Sequence, residues 1–169
     1  SIFETNSFLI KNNERTSLIE YAAFFGSIQI FNYLRMSKAE LRPALWLYSI
    51  HSNNAEMIHL LEENHVKPPN DSFLTCLEEA IKCHHNEIAR YIQNSLIEDE
   101  CLNKFDKSVI SFSLHYHNYS FLPDDFLNDP FIFIYFCSYN YVKPVELYLK
   151  NKDIKFDINQ RVIFKKKLF

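Results

Sequence analysis

The chain has 169 residues, of which 47% are hydrophobic, and this size and composition suit one domain with a continuous core. Its 18 Lys and Arg residues stand against 21 Asp and Glu residues, so a net charge of -3 offers no basic field for nucleic acid or an anionic membrane. Its single glycine excludes phosphate-binding loops and dinucleotide fingerprints, which need several.

The spacing of the apolar residues predicts helices along the whole chain. Apolar residues recur at intervals of three and four, which is the helical period, and no segment shows the alternation of a strand. In chain order, the predicted helices span residues 17–25, 28–36, 43–52, 55–63, 73–84, 86–95, 107–116, 130–138 and 143–150. The sequence therefore predicts an all-α fold.

Four of these helical segments repeat one layout. Two small or apolar residues come first, a polar or glycine break follows, and an apolar pair then precedes another apolar residue three positions later. The four segments are residues 21–34, 48–61, 79–92 and 135–148, with breaks at Gly26, Asn53, His84 and Asn140. Glycine and asparagine tolerate the left-handed backbone that such a break needs. The gap before the last segment has room for one divergent repeat, which includes residues 112–122.

Second helices of the repeats carry an apolar stripe that one helical hairpin cannot bury alone. Stacking the hairpins hides this stripe. The predicted core residues on these helices are Ile30, Leu34, Ile58, Leu61, Ile88 and Ile92.

The segment from Ser17 to Leu34, SLIEYAAFFGSIQIFNYL, resembles an ankyrin repeat. Ala22, Ala23 and Gly26 match the Ala-Ala pair and the glycine of that repeat. Further matches are the leucines Leu60 and Leu61, the histidine His85, and the turn at Asp157, Ile158 and Asn159. The T-P-L-H starts and the glycine-rich turns are missing, and the spacing is shorter than the usual ~33 residues. The chain is similar to divergent Tyr/Phe/Asn-rich ankyrin-like protist families that carry a domain of unknown function.

This resemblance implies an α-solenoid of stacked helix-turn-helix repeats that fills residues 1–169 as one domain. The expected repeats are about 16–41, 42–70, 71–100, a divergent 101–127 and 128–159, followed by a truncated repeat at 160–169. Ankyrin proteins are binding scaffolds without catalytic residues. The resemblance thus implies a protein partner, which the sequence does not identify, and neither an enzyme nor a cofactor nor a small-molecule substrate.

The ankyrin alignment also selects the residues of the expected concave binding face. They occupy variable positions of the first helices, and they are Tyr21, Phe24, Tyr48, His51, Lys82, Tyr135 and Tyr139. We expect Tyr21, Tyr48, His51, Lys82 and Tyr139 to be exposed along one side. For Phe24 and Phe25, packing against neighbouring helices is the alternative interpretation.

One Cys/His cluster, at residues 76–85, has some appearance of a metal site. Cys76 and Cys83 are separated by six residues and are followed by His84 and His85, which is not the paired spacing that structural zinc favours. We therefore assign no metal ligand, and we keep a small metal-dependent hydrolase at this cluster as the alternative. A non-functional fragment of a larger repeat protein is a further alternative. The cysteines suit reduced thiols, and with no visible signal peptide or transmembrane segment the expected location is the cytoplasm.

Overall fold

A computed structural model describes residues 6, 8, 9, 16–97, 102–122, 124, 126 and 132–150. The matches at Asp157, Ile158 and Asn159 and the expected truncated repeat at 160–169 lie outside the described residues. Within the described ranges every regular element is a helix, which confirms the all-α prediction.

The described α-helices follow the predicted segments closely. In chain order they are α1 (Leu18–Phe24), α2 (Ile28–Met36), α3 (Leu45–His51), α4 (Ala55–Glu63), α5 (Leu74–Lys82), α6 (Asn86–Tyr91), α7 (Leu102–His115), α8 (Ile132–Ser138) and α9 (Val142–Lys150). The largest differences are that α6 continues as a π-helical turn, Ile92–Leu96, and that α7 begins five residues before its predicted start at residue 107. None of the described helices has the length and apolar character that crossing a bilayer requires.

The breaks between first and second helices all use a left-handed backbone. The angle φ is +64° at Gly26, and the residues at the other predicted breaks also have positive values: Asn53 (51°), His84 (58°) and Asn140 (59°). His117, with φ of 57°, holds the same place after α7. This recurrence confirms the left-handed backbone at the predicted breaks and adds one such position after α7.

First helices of successive repeats pack against one another. Helix α1 contacts α3, α3 contacts α5, and α5 contacts α7, while α1, α3 and α5 also pack on their own second helices α2, α4 and α6. Each first helix of this row buries the two residues that lie four and three positions before the break: Ala22 and Ala23, Ser49 and Ile50, Ala80 and Ile81, and Ser113 and Leu114. The pairs found in the sequence therefore belong to the core in α1, α3 and α5, whereas in α8 Phe136 is buried and Cys137 is exposed.

The entry to α1 is fixed by a buried carboxylate. Glu20 accepts hydrogen bonds from the backbone nitrogen and the hydroxyl of Ser17, at 2.7 and 2.8 Å, and the Ser17 hydroxyl caps the helix in return. Arg42, which precedes α3, donates to the other oxygen of Glu20 at 2.7 Å. These charge-assisted hydrogen bonds compensate for burying the carboxylate and tie α1 to the segment before α3.

The predicted core is correct in the second and third repeats and wrong in the first. Ile58, Leu61, Ile88 and Ile92 are buried, but Ile30 is 56% exposed. Leu34 is only half-buried. In α2 the buried position is taken by Phe31, and no described part of the chain covers the side that carries Ile30. In α4 the position equivalent to Ile30 is held by Met57, which is fully buried.

The chain divides into two compact units, at residues 1–123 and 124–169. The first contains α1 to α7. In the second, α8 packs on α9, and the buried ring of Phe136 lies 6.1 Å from that of Tyr141. The expectation of a single domain over the whole chain stays a prediction.

Candidate functional site

Two positions of each of the first helices α1, α3, α5 and α7 lie on one side of the helix row, which we call the first-helix face. They lie five and two residues before the break, and they hold Tyr21 and Phe24, Tyr48 and His51, Glu79 and Lys82, and Phe112 and His115. The Phe24 ring stacks on the His51 ring at 5.3 Å, and His51 Nε2 lies 2.9 Å from Glu79 Oε1. These contacts link the face across three repeats.

An aromatic cleft on this face is occupied by Phe8. The cleft consists of Phe24, Tyr48 and His51, whose ring centroids lie 5.9, 5.2 and 4.0 Å from that of Phe8. The next residue, Leu9, is buried. The first-helix face thus accommodates an aromatic side chain that comes from outside the helix pairs.

The expected exposure of the predicted binding residues is wrong for Tyr48. Its ring is 3% exposed, because it lies in the core with the edge of Phe8 against it. Lys82 is exposed as expected, with 43% of its side chain accessible, whereas Tyr21 and His51 are partly buried.

Of the two phenylalanines at the end of α1, only Phe24 packs against a neighbouring helix as the alternative interpretation expects. Phe24 is half-buried against Phe8 and His51, and Phe25 is 65% exposed. Tyr135 and Tyr139 lie in the second compact unit, and both are partly buried.

A polar cluster joins α3 to α5 on the same face. His51 Nε2 lies 2.9 Å from Glu79 Oε1, and Cys83 Sγ lies 3.8 Å from that nitrogen and 4.0 Å from that oxygen. Lys82 Nζ donates to both oxygens of Glu79, at 2.8 and 3.0 Å. We call His51, Glu79 and Cys83 the His51 cluster.

Electrostatics fix the charge states of two members of this cluster. Burial raises the pKa of Glu79, but hydrogen bonds and positive charge from His51 and Lys82 outweigh it and lower that pKa below 4.5. The ionised carboxylate can only accept, so His51 Nε2 carries the proton between them. Burial, and then the negative charge of Glu79, raise the pKa of Cys83 to about 11, so its thiol is protonated at neutral pH.

The His51 cluster is a poor nucleophilic site despite its Cys, His and Glu. Cys83 Sγ lies 3.7 Å from Nδ1 and 3.8 Å from Nε2 of His51, so it lies on the lone-pair direction of neither nitrogen. A reactive cysteine needs a lowered pKa, and that of Cys83 is raised. The arrangement therefore lacks an activated thiolate.

The four residues of the cluster predicted at 76–85 do not converge. Cys76 is buried, and burial followed by the charge of Glu79 raises its pKa to about 12. His84 is exposed at the break, and His85 precedes α6, with its pKa lowered mainly by burial. Only Cys83 takes part in a group of potential metal ligands, and its partners are His51 and Glu79. Sequence spacing missed this set because His51 belongs to the preceding repeat.

A shallow cavity of about 340 Å³ lies between α6 and α7. Among the described residues its only charged lining residue is Arg90, whose guanidinium lies 5.7 Å from the centre of the Phe121 ring. The described part of its wall holds no carboxylate or imidazole that could serve as a general acid or base.

No protein-family model, no curated protein and no solved structure matches the chain. The ankyrin resemblance accordingly depends on the residues and the helix packing described above, and it stays a prediction.

Proposed function

We propose that this protein is a binding scaffold, an ankyrin-like solenoid whose first-helix face contacts a protein partner. The observation that carries the proposal is the packing of Phe8 in the aromatic cleft of Phe24, Tyr48 and His51. The cleft receives a side chain from outside the helix pairs, as an aromatic residue of a partner would enter it. Tyrosine and phenylalanine suit this role because they bury a large area at small entropic cost.

The partner segment in this proposal carries an aromatic residue that takes the place of Phe8. It continues along the face past Lys82, the most exposed predicted contact in the first compact unit. Tyr21 supplies further contact area beside the cleft, where its ring stacks on Phe25 at 6.4 Å. Tyr48 forms the buried floor of the cleft in this arrangement.

Catalysis is not part of the proposal. The thiol of the His51 cluster is not activated, and the described lining of the cavity beside Arg90 includes no acid or base. The proposal includes no small-molecule substrate, nucleic acid or membrane as partner. It places the protein in the cytoplasm. The net charge of -3 supports the exclusion of nucleic acid.

Affinity capture with quantitative mass spectrometry tests the proposal. The full chain is immobilised as wild type, as Phe8→Ala, as Tyr21→Ala/Lys82→Ala, and as Arg90→Ala, an exposed control on α6. A true partner should bind Phe8→Ala more tightly, by about 3- to 10-fold for each aromatic contact that Phe8 no longer makes, because one such contact is worth ~0.5–1.5 kcal/mol. The double variant should weaken the same partner, and Arg90→Ala should leave it unchanged.

The controls separate binding from folding. Each variant must keep the helical spectrum of the wild type and remain fully folded at the temperature of the binding assay. A partner that responds equally to Arg90→Ala and to the double variant, or captured proteins that are all indifferent to Phe8→Ala, would contradict binding at the first-helix face.

A further inference from the structure

The His51 cluster brings a nitrogen, an oxygen and a sulfur donor together from two neighbouring repeats. His51 ends α3, while Glu79 lies in α5 and Cys83 follows one turn later on the same side. Their ligand atoms all lie within 4.8 Å of one another, and no other group of three or more such residues in the described ranges meets this condition. We infer that the His51 cluster is a binding site for a zinc-like divalent transition metal, with ligands His51 Nε2, Glu79 Oε1 and Cys83 Sγ.

The spacing of the three atoms matches the size of zinc. They form a triangle with sides of 2.9, 3.8 and 4.0 Å. The circle through its corners has a radius of about 2.1 Å, against zinc distances of about 2.0–2.2 Å to nitrogen and oxygen and 2.3 Å to sulfur. An ion near the centre of the triangle lies at about the coordination distance from all three donors, and the imidazole turns so that the Nε2 lone pair points at the ion instead of at Glu79.

The donor types select the class of metal. A thiol and an imidazole favour zinc and its transition-metal neighbours over magnesium and calcium, which take oxygen ligands. Three protein ligands leave the fourth tetrahedral position to water. The site is accessible to an ion, since the side chains of His51 and Glu79 are 18% and 14% exposed.

Metal binding replaces two interactions within the His51 cluster. The proton that His51 Nε2 shares with Glu79 moves to Nδ1 or to solvent, and the thiol proton of Cys83 leaves to solvent as the metal–sulfur bond forms. Lys82 keeps its contact with Glu79 Oε2, at 3.0 Å, when Oε1 turns to the metal. The long exposed side chain of Lys82 can also withdraw into water.

Aromatic rings flank the imidazole on the first-helix face. Phe8 lies 4.0 Å from the His51 ring and Phe24 stacks on it at 5.3 Å. These contacts limit the orientations open to the imidazole, and a restricted ligand loses less entropy on binding. Because the ligands come from α3 and α5, the metal also links the second repeat to the third.

Cobalt and zinc titrations of the reduced full chain, after treatment with a chelator and desalting, test the inference. Cobalt at one equivalent should give a thiolate-to-cobalt charge-transfer band with the intense visible bands of a four-coordinate ion, and zinc should bleach both. Cys83→Ser should abolish the charge-transfer band and weaken zinc at least about 100-fold, since losing an outer-shell partner alone costs 10- to 100-fold. Cys137→Ser changes an exposed cysteine in the second compact unit and is the matched control. It should retain the charge-transfer band and the zinc affinity of the wild type.

The proposed site is overturned if the wild type shows no charge-transfer band, if the band survives in Cys83→Ser, or if it is lost in Cys137→Ser. If Cys83→Ser does not fold, alkylation of the wild type decides. Iodoacetamide modification of Cys83, located by peptide mass, should be suppressed by one equivalent of zinc, and unchanged modification overturns the inference.

Discussion

Met57 and Ile30 occupy the same position in the second helices of consecutive repeats, four residues after the break. Met57 is fully buried and Ile30 is 56% exposed. The repeat pattern places Ile30 in the predicted core and aligns Met57 with it, whereas in the structure only Met57 is buried. Replacing each residue by alanine in separate variants therefore measures how much burial at this position contributes to the free energy of unfolding.

The expected losses of stability differ by at least about 1 kcal/mol. Truncating a fully buried methionine leaves a cavity and typically costs ~2–5 kcal/mol. Ile30 keeps about half of its surface in water, so its truncation forfeits only about 1 kcal/mol of burial. Alanine also recovers a few tenths of a kcal/mol in α2, because it is a better helix former than isoleucine.

Urea unfolding followed by far-ultraviolet circular dichroism gives both values. Met57→Ala should lower the urea midpoint clearly at an unchanged m-value, and Ile30→Ala should lower it little. Equal losses for the two variants would refute the packing described for α2. Leu61→Ala, at another fully buried position of α4, is the positive control and should behave like Met57→Ala.

Three further predictions address the backbone, the buried charge and the thiols. Gly26→Ala should destabilise the fold by about 1 kcal/mol in thermal melting, because φ at this position is +64°. Asn53→Gly, at a φ of 51°, should be neutral or slightly stabilising. Equal effects of the two substitutions would argue against the left-handed breaks. Glu20→Gln should cost about 2 kcal/mol, since its buried carboxylate accepts three charge-assisted hydrogen bonds, and an unchanged melting temperature would contradict this. At about pH 8, iodoacetamide should modify exposed Cys137 readily, and Cys76, buried with a pKa of about 12, only after unfolding, as peptide mapping will show.

The sequence by itself determined the helices and the breaks between them. Helix position follows from local signals, namely apolar spacing and residues that accept a left-handed backbone, and these signals act within a few residues of the chain. The predicted span of α2, residues 28–36, and that of α4, residues 55–63, agree with the structure. The apolar stripe also identified Ile58 and Leu61 as buried, because each lies on a second helix flanked by neighbouring repeats.

Only the tertiary structure decided which equivalent positions are covered. Ile30 and Met57 have the same local pattern, so their different exposure depends on what packs beside each helix. Tyr48 was predicted to be exposed, but it lies in the core beneath Phe8, a residue 40 positions earlier in the chain. No periodicity in the sequence relates Phe8 to the second repeat.

The His51 cluster also depended on tertiary packing. Inspection of residues 76–85 found Cys83 among neighbours on its own helix hairpin, but its real neighbour is His51, 32 residues earlier. A metal motif is visible in a sequence when its ligands share one local element. Here the ligands meet because α3 packs on α5, so the sequence supplied the donors and the packing of successive first helices brought them within reach of one ion.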